Sequence, residues 1–182
     1  HVVVPSDRAV ALPEGIGEEG VLLALAATAY HVTQGKKALQ PDLIVGHGVL
    51  GRLIARIAVL LGHQPVVWEI DADRMSGAEG YTVLHPCDDQ ENKYKNICDA
   101  SGQVSVLNKL IGQLQVGGEI TLAGFYEKDI QFNFPKAFMK EAKFRIAAQW
   151  APQDLMGVKQ LIVNGKLNLS GLITHHRKPS SI

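Results

Sequence analysis

Between positions 49 and 61 apolar residues recur at Val49, Leu50, Leu53, Ile54, Ile57, Ala58 and Leu61, with Arg52 and Arg56 on the other side. That spacing of three and four predicts an amphipathic helix, and Gly62 ends it as a C-terminal glycine does. A short apolar run at 42–45 precedes it and predicts a strand that ends in Gly46. Further strands are predicted at 65–68, 81–84, 97–100, 119–125 and 144–148. A second amphipathic helix is marked by Val104, Leu107, Leu110, Ile111 and Leu114, and a third helix by residues 155–163. Val116-Gly117-Gly118 reads as a turn before the fifth strand. Upstream, residues 20–32 form an Ala-rich apolar stretch that suits a buried helix. Glu18 and Glu19 stand before it, where a helix N-terminus favours negative charge. Residues 33–40 form a polar connector. Residues 1–4 and 8–12 read as two short extended pieces, separated by Pro5-Ser6-Asp7. Strands alternating with helices predict an α/β fold, a doubly wound parallel six-stranded sheet covered on both faces.

Composition narrows the function. The 182 residues carry 18 Lys+Arg against 18 Asp+Glu, and this balance argues against a nucleic-acid binder. With 46% hydrophobic and 20% charged residues the chain is globular rather than disordered. Two cysteines, Cys87 and Cys98, make neither a CxxC pair nor a disulfide framework. Free thiols fit a reducing compartment, so a cytoplasmic protein is expected. The longest charge-free apolar run, 21–29, is far short of a membrane span, and no signal peptide is expected.

The candidate chemistry sits at Gly46-His47-Gly48-Val49-Leu50-Gly51, a GxGxxG pattern. Alone the pattern is weak, since a bare strand-to-helix turn can carry it. Here it follows an apolar strand and opens an amphipathic helix, the setting of a Rossmann dinucleotide site. Gly46 would allow the tight turn, Gly48 the approach of a pyrophosphate, and Gly51 close packing of helix on strand. Free N–H groups at the helix start, around Val49 and Leu50, would bind the phosphates. His47 could touch the pyrophosphate or the nicotinamide end, or face solvent. Glu69 lies 18 residues beyond Gly51, at the end of the second strand. There a carboxylate accepts the ribose hydroxyls and opposes a 2′-phosphate, so NAD is favoured over NADP. Ile70 and Asp71 adjoin the same position. Arg74 complicates the preference, because it could accommodate a 2′-phosphate or pair with Asp71 or Asp73. Ligands bind at the carboxyl ends of such strands, which adds Ala100-Ser101-Gly102, Ala123-Gly124-Phe125 and Ala148-Gln149. Each of these also reads as an ordinary turn, and Phe125 as a core aromatic.

The arrangement resembles the medium-chain dehydrogenase/reductase superfamily. Residues 26–32 (Ala-Ala-Thr-Ala-Tyr-His-Val) are similar to the helix that leads into its cofactor domain. Gly165-Lys166-Leu167-Asn168 and Ile173-Thr174-His175 are similar to its C-terminal return. The run Pro41-Asp42-Leu43-Ile44-Val45-Gly46-His47-Gly48-Val49-Leu50-Gly51-Arg52-Leu53, with Val67-Trp68-Glu69, resembles the bacteriochlorophyllide a dehydrogenase subfamily. The histidine inside the glycine motif is the most telling feature. The resemblance implies oxidation of the 3-(1-hydroxyethyl) group of a (bacterio)chlorophyllide to 3-acetyl, with NAD taking the hydride. It places the chain in bacteriochlorophyll biosynthesis and so in photosynthesis. It implies a GroES-like domain before the Rossmann domain, of which residues 1–12 would be remnants, so the chain reads as a fragment. The division expected is 1–35 for the end of that domain and its junction helix, 36–165 for the NAD-binding domain, and 166–182 for the return segment. Such a fragment would bind cofactor but turn over poorly. A homodimer through strand six is implied as well. By the same resemblance Thr28 lies near the nicotinamide.

Zinc-dependent relatives carry a Cys or Glu ligand four residues before the position of Thr28. Here Ala24 stands there, so no catalytic zinc is expected. Oxidation still needs a base or relay for the hydroxyl proton. Tyr30 and His31 are the nearest catalytic candidates, and both also read as side chains packed at the domain junction. His175-His176-Arg177-Lys178 reads as a solvated tail, and His63 and His85 have no partners in sequence. Phe125, Phe132, Phe134 and Phe138 could line an apolar cleft for a macrocycle, but core and dimer packing suit them better. Other readings are a different zinc-independent alcohol dehydrogenase or quinone reductase, a non-catalytic NAD-binding module, and a methyltransferase. Against the last, Val45 stands where methyltransferases usually place an acid.

Overall fold

A computed structural model describes residues 3–6, 9–91, 93–147 and 149–176. Six strands, β1 (Leu43–Val45), β2 (Val66–Trp68), β3 (Thr82–Leu84), β4 (Tyr94–Asp99), β5 (Leu114–Leu122) and β6 (Lys143–Ile146), form one sheet. Every pair is parallel, and the order is β3-β2-β1-β4-β5-β6. This is the doubly wound Rossmann arrangement, whose chain reverses direction across the sheet between β1 and β4. β1 is buried along its whole length, which is why its sequence is unbroken by polar residues.

Alternation along the strands separates two cores. Ile44, Val67 and Cys98 face one layer with α1 (Leu23–Gln34), α2 (Val49–Leu60) and α5 (Pro152–Val163). Leu43, Val45, Trp68, Ile97 and Ile120 face the other, covered by α3 (Leu107–Gln113) and α4 (Phe134–Met139). Alanines at 26, 27 and 29 let α1 sit close against its neighbours, and all three are buried. The segment after α5 returns to the same core through Leu167, Leu169 and Leu172. Arg56 on α2 fastens it, donating to the carbonyls of Asn168 (2.7 Å) and Ser170 (3.2 Å).

Several sequence expectations change. No described residue before Gly17 belongs to a strand, and Val3, Val4, Val10 and Leu12 are exposed. The described parts of the two extended pieces, residues 3–4 and 9–12, pair with no strand among the described residues. His1, Val2, Asp7 and Arg8 lie outside the described residues, as do Ala148, Arg177 and Lys178. Val116-Gly117-Gly118 is not a turn before β5 but an irregularity within it. Tyr94 pairs with Leu114 and Asn96 with Glu119, so the strand absorbs extra residues there. Gly117 has φ +70, and a Cβ on Gly118 would lie 2.6 Å from the Lys95 carbonyl. Pairing with β4 pulls these glycines into the ladder, a tertiary effect that overrides turn chemistry. α4 was not anticipated, because six residues make under two turns and show no sustained period. Asn133 starts it by accepting from the Lys136 N–H (3.0 Å). Phe125, Phe132, Phe134 and Phe138 are all exposed rather than core residues.

Candidate functional site

The carboxyl ends of β1, β2 and β4 open onto a cleft of about 690 Å³. Gly46 leaves β1 with φ +97, a left-handed backbone that glycine adopts freely. Its N–H donates to the Trp68 carbonyl (2.8 Å), and Ser101 closes over it. Gly48 is the N-cap of α2 and lines the cleft, with nothing within 4 Å of where a Cβ would stand. Gly51 is the opposite case, since a Cβ there would lie 1.9 Å from the Gly46 carbonyl oxygen. The N–H groups of Val49, Leu50 and Gly51 have no intrahelical acceptor, and they sit at the positive end of the α2 dipole. The side chains of Val49 and Leu50 pack partly on the α1/α2/α5 core, and neither lines the cleft.

Glu69 stands at the end of β2, lines the cleft and is largely buried. Its Oε1 accepts the N–H groups of Ile70 (2.8 Å) and Asp71 (2.9 Å), and its Oε2 accepts that of His47 (2.8 Å). Burial pushes this carboxyl upward, but the N–H groups of Asp71, His47 and Ile70 outweigh it, with help from the Arg74 charge. The net shift is downward, so Glu69 is an anion at neutral pH. Asp71 caps the short turn Ala72–Arg74, and Arg74 pairs with it (Nε to Oδ2, 3.3 Å). All three side chains line the cleft, with His85, Pro86 and Cys87 from the end of β3 and Lys109 from α3. Lys109 sits 4.9 Å above the Trp68 ring.

His47 departs from expectation. Its side chain is fully buried and lies outside the cleft lining. Nδ1 meets the Arg74 carbonyl and Nε2 the Tyr81 hydroxyl (2.8 Å). Burial first, with the Arg52 and Arg56 charges, holds its pKa below the ordinary histidine value. A neutral, enclosed imidazole cannot touch pyrophosphate or nicotinamide by its ring.

At β4, Ala100 and Ser101 line the main cleft. Ser101 and Gly102 border a second hollow of about 520 Å³ with Phe125, which is 87% exposed. A Cβ on Gly124 would lie 2.4 Å from the Gly102 nitrogen, so these two loops interlock. Ala123 and Gly124 support the edge from beneath and line neither hollow. Asp99, absent from the sequence-derived candidates, ties this edge together. Its Oδ1 accepts the Ser101 N–H (2.8 Å) and hydroxyl (2.6 Å), and its Oδ2 accepts the Tyr126 hydroxyl (2.7 Å). Burial and the Asp99 carboxylate push the Tyr126 phenol up, so it remains a donor. Asp99 and His85-Pro86-Cys87 are residues the sequence reading missed; the rule of strand carboxyl ends could have found them, but nothing in their spacing singles them out.

The catalytic candidates lie elsewhere. The Tyr30 ring packs over Gly157 of α5, and the His31 Nδ1 pairs with Asp154 Oδ2 (2.8 Å). Both fasten α1 to α5, and neither lines the cleft. The Thr28 hydroxyl donates to the Ala24 carbonyl (3.2 Å) within α1, and Thr28 also lies outside the cleft lining. Gln149 is exposed at the end of β6. Cys98 is buried in the core, which pushes its thiol up to about 12. Among the described residues, no group of three or more His, Cys, Asp or Glu is placed to hold a metal ion. Among them, too, no helix is long and apolar enough to cross a membrane.

No family model matches the chain. It is 50% identical over 181 residues to the 2-desacetyl-2-hydroxyethyl bacteriochlorophyllide A dehydrogenase of Cereibacter sphaeroides, covering 99% of this chain. The protein of the same name from Rhodobacter capsulatus is 50% identical over 178 residues, covering 97%. The chain spans 57% of the length of each. Among solved structures it is similar to a short chain alcohol dehydrogenase (rspB) from E. coli CFT073 complexed with NADH. That TM-score is 0.76 at 19% identity, over 91% of this chain and 54% of that one. It is likewise similar to S. aureus TarJ in complex with NADPH, with TM-score 0.78 and 20% identity over 90% of this chain and 56% of that one. At those identities the solved structures bear on the fold, and the fold agrees.

Proposed function

We propose, from the premise that this chain is a relative of the bacteriochlorophyllide dehydrogenases within the medium-chain dehydrogenase/reductase superfamily, that it binds NAD as part of a pigment-synthesis oxidoreductase. One observation carries the cofactor reading. The open space above Gly48, the free N–H groups of α2 and the Glu69 anion converge on a single cleft at the reversal point of the sheet. The residues present fit a dinucleotide. The α2 turn would hold the pyrophosphate through backbone N–H groups. Glu69 and Asp71 would accept the ribose hydroxyls, since carboxylate oxygens retain lone pairs beyond the N–H bonds already made. Ser101 and Phe125 would border the nicotinamide end, with Ala123 and Gly124 behind them. When bound, NAD supplies the hydride acceptor.

The substrate reading rests on the relatives' names and on the resemblance. It assigns oxidation of a 3-(1-hydroxyethyl) group on a (bacterio)chlorophyllide to 3-acetyl, within bacteriochlorophyll biosynthesis and photosynthesis, in the cytoplasm. The carbinol hydrogen leaves as hydride and the hydroxyl proton goes to a base. Tyr30 and His31 are engaged with α5 and do not serve, so the base is assigned outside the described cleft. Residues 36–165 are assigned to cofactor binding. Residues 1–35 and 166–182 are assigned as the joints to a further domain, although α1 shares the same core.

Calorimetric titration with NADH and NADPH tests the cofactor reading. Tighter binding of NADH is expected, with a loss of roughly tenfold or more in Glu69→Ala, as for a hydrogen bond to a charged group. Binding of neither dinucleotide would sink it. Incubation of the whole enzyme with the hydroxyethyl pigment and NAD is expected to yield acetyl pigment and NADH in equal amounts. Turnover of simple alcohols alone would instead favour another zinc-independent alcohol dehydrogenase.

The assembly is proposed as a homodimer through β6. This strand is one edge of the sheet, and among the described residues no strand pairs with its outer side. Ile146 on it is 77% exposed, and Phe134, Phe138, Met139 and Phe144 flank an apolar groove beside it. Light scattering is expected to give a dimer mass that falls to the monomer in Ile146→Asp. A monomeric parent chain at micromolar concentration would exclude the interface.

A further inference from the structure

We propose that His47 is a positioning residue for the dinucleotide, a buried latch that holds the β2–β3 loop against the glycine turn and sets the preference for a ribose without a 2′-phosphate. The proposal rests on the dinucleotide reading above. The Arg74 carbonyl can only accept, so the His47 Nδ1 carries the hydrogen in that bond. Nε2 then presents a lone pair, and the Tyr81 hydroxyl donates to it (2.8 Å). The His47 N–H reaches Glu69 Oε2 (2.8 Å). One residue of the glycine turn is therefore bonded to the end of β2, the middle of the following loop and the start of β3.

Burial does little to hold the loop, which relies on polar ties. The turn Ala72–Arg74 buries none of its residues, and positions 76–80 are exposed. Arg52 on α2 supplies a second tie near Arg74, donating to the His47 carbonyl (3.0 Å) and the Arg74 carbonyl (3.2 Å), and Arg56 on the same helix pairs with Glu79 further along the loop (2.8 Å). With its backbone pinned, Arg74 keeps its guanidinium against Asp71 (3.3 Å). The ribose end of the cleft then presents the carboxylates of Glu69 and Asp71 beside a guanidinium already paired. An alanine at position 47 would keep the backbone bonds to Glu69 and Arg52 and lose both ring bonds, to the Arg74 carbonyl and the Tyr81 hydroxyl. The loop would relax, Asp71 would lose its fixed place, and Arg74 would be released toward a 2′-phosphate.

Dissociation constants for NADH and NADPH, measured on the full chain by calorimetry, test this in His47→Ala, His47→Asn and Tyr81→Phe. Thermal melts confirm that each variant is folded. In His47→Ala the NADH affinity is expected to fall roughly tenfold and the NADH:NADPH preference roughly fivefold, the scale of one or two lost hydrogen bonds. His47→Asn sets an amide donor near the Nδ1 position and should restore most of both. Tyr81→Phe should lower the preference by roughly twofold. A folded His47→Ala with affinity and preference unchanged would overturn the latch. So would an equal loss for both cofactors that asparagine does not rescue. If His47→Ala fails to fold, His47→Asn and Tyr81→Phe decide: the shifts just given support the latch, and an unchanged preference in Tyr81→Phe overturns it. A parent chain that binds neither dinucleotide removes the cofactor reading and the latch together, whereas a parent that binds NADH beside indifferent variants removes the latch alone.

Discussion

Gly51→Ala is expected to destabilise the chain by about 3 kcal/mol, the upper range for an overpacked site. On a domain of this size that lowers Tm by roughly 6–12 °C. The added Cβ would lie 1.9 Å from the Gly46 carbonyl oxygen, a distance no rotamer can relieve. Gly46 has no room to retreat. Its N–H is bonded to the Trp68 carbonyl (2.8 Å), and Ser101 lies against its other side. Helix α2 must therefore move away from β1. That shift opens the packing of Leu53, Ile54 and Ile57, all fully buried. It also displaces the N–H groups offered to a phosphate, so NADH affinity should fall in the same variant. Differential scanning calorimetry with and without NADH checks both effects. A Tm shift below about 1 °C would mean that the helix moves at no cost, contrary to the density of protein cores.

Gly48→Val is expected to do the reverse, abolishing binding while leaving the fold nearly intact. Gly48 has φ −73, a value open to any residue, and nothing stands within 4 Å of a Cβ there. The cost to folding is that of a poor N-cap, about 1 kcal/mol. In the cleft, however, a valine side chain occupies the space where the pyrophosphate meets the α2 N-terminus. Losing those charge-assisted contacts should weaken NADH by at least about a hundredfold. Calorimetry on a folded Gly48→Val, its Tm lowered by only roughly 2–4 °C, is the clean comparison with Gly51→Ala. Retained NADH affinity in a folded Gly48→Val would place the pyrophosphate elsewhere.

The contrast between these two glycines shows how far the motif could be read. The sequence pattern assigned Gly48 to ligand approach and Gly51 to helix–strand packing, and the geometry supplies matching surroundings: open space at one, a carbonyl at the other. Strand and helix positions were equally legible where the period was long or the run wholly apolar, as in α2 and β1. What failed to read were features made by partners distant in sequence. Pairing with β4 took Val116-Gly117-Gly118 into β5. The described residues before Gly17 form no strand, because a strand needs a neighbour and apolar character alone does not supply one. Asp99 became a clamp only once β5 brought Tyr126 to it.

Sequence by itself determined the α/β class, the glycine turn, the acid at the end of β2 and the kinship with dehydrogenases. The first three are properties of local periodicity and of short fixed spacings, which chain connectivity enforces, and the kinship rests on the resemblance of whole segments. Tertiary structure alone decided which side of the turn His47 occupies, that Tyr30 and His31 serve the α1–α5 contact, and that the phenylalanines near β6 lie outside. A side chain's role depends on what packs against it. His47 gains its partners across 27 and 34 residues of chain, a separation that no local pattern encodes.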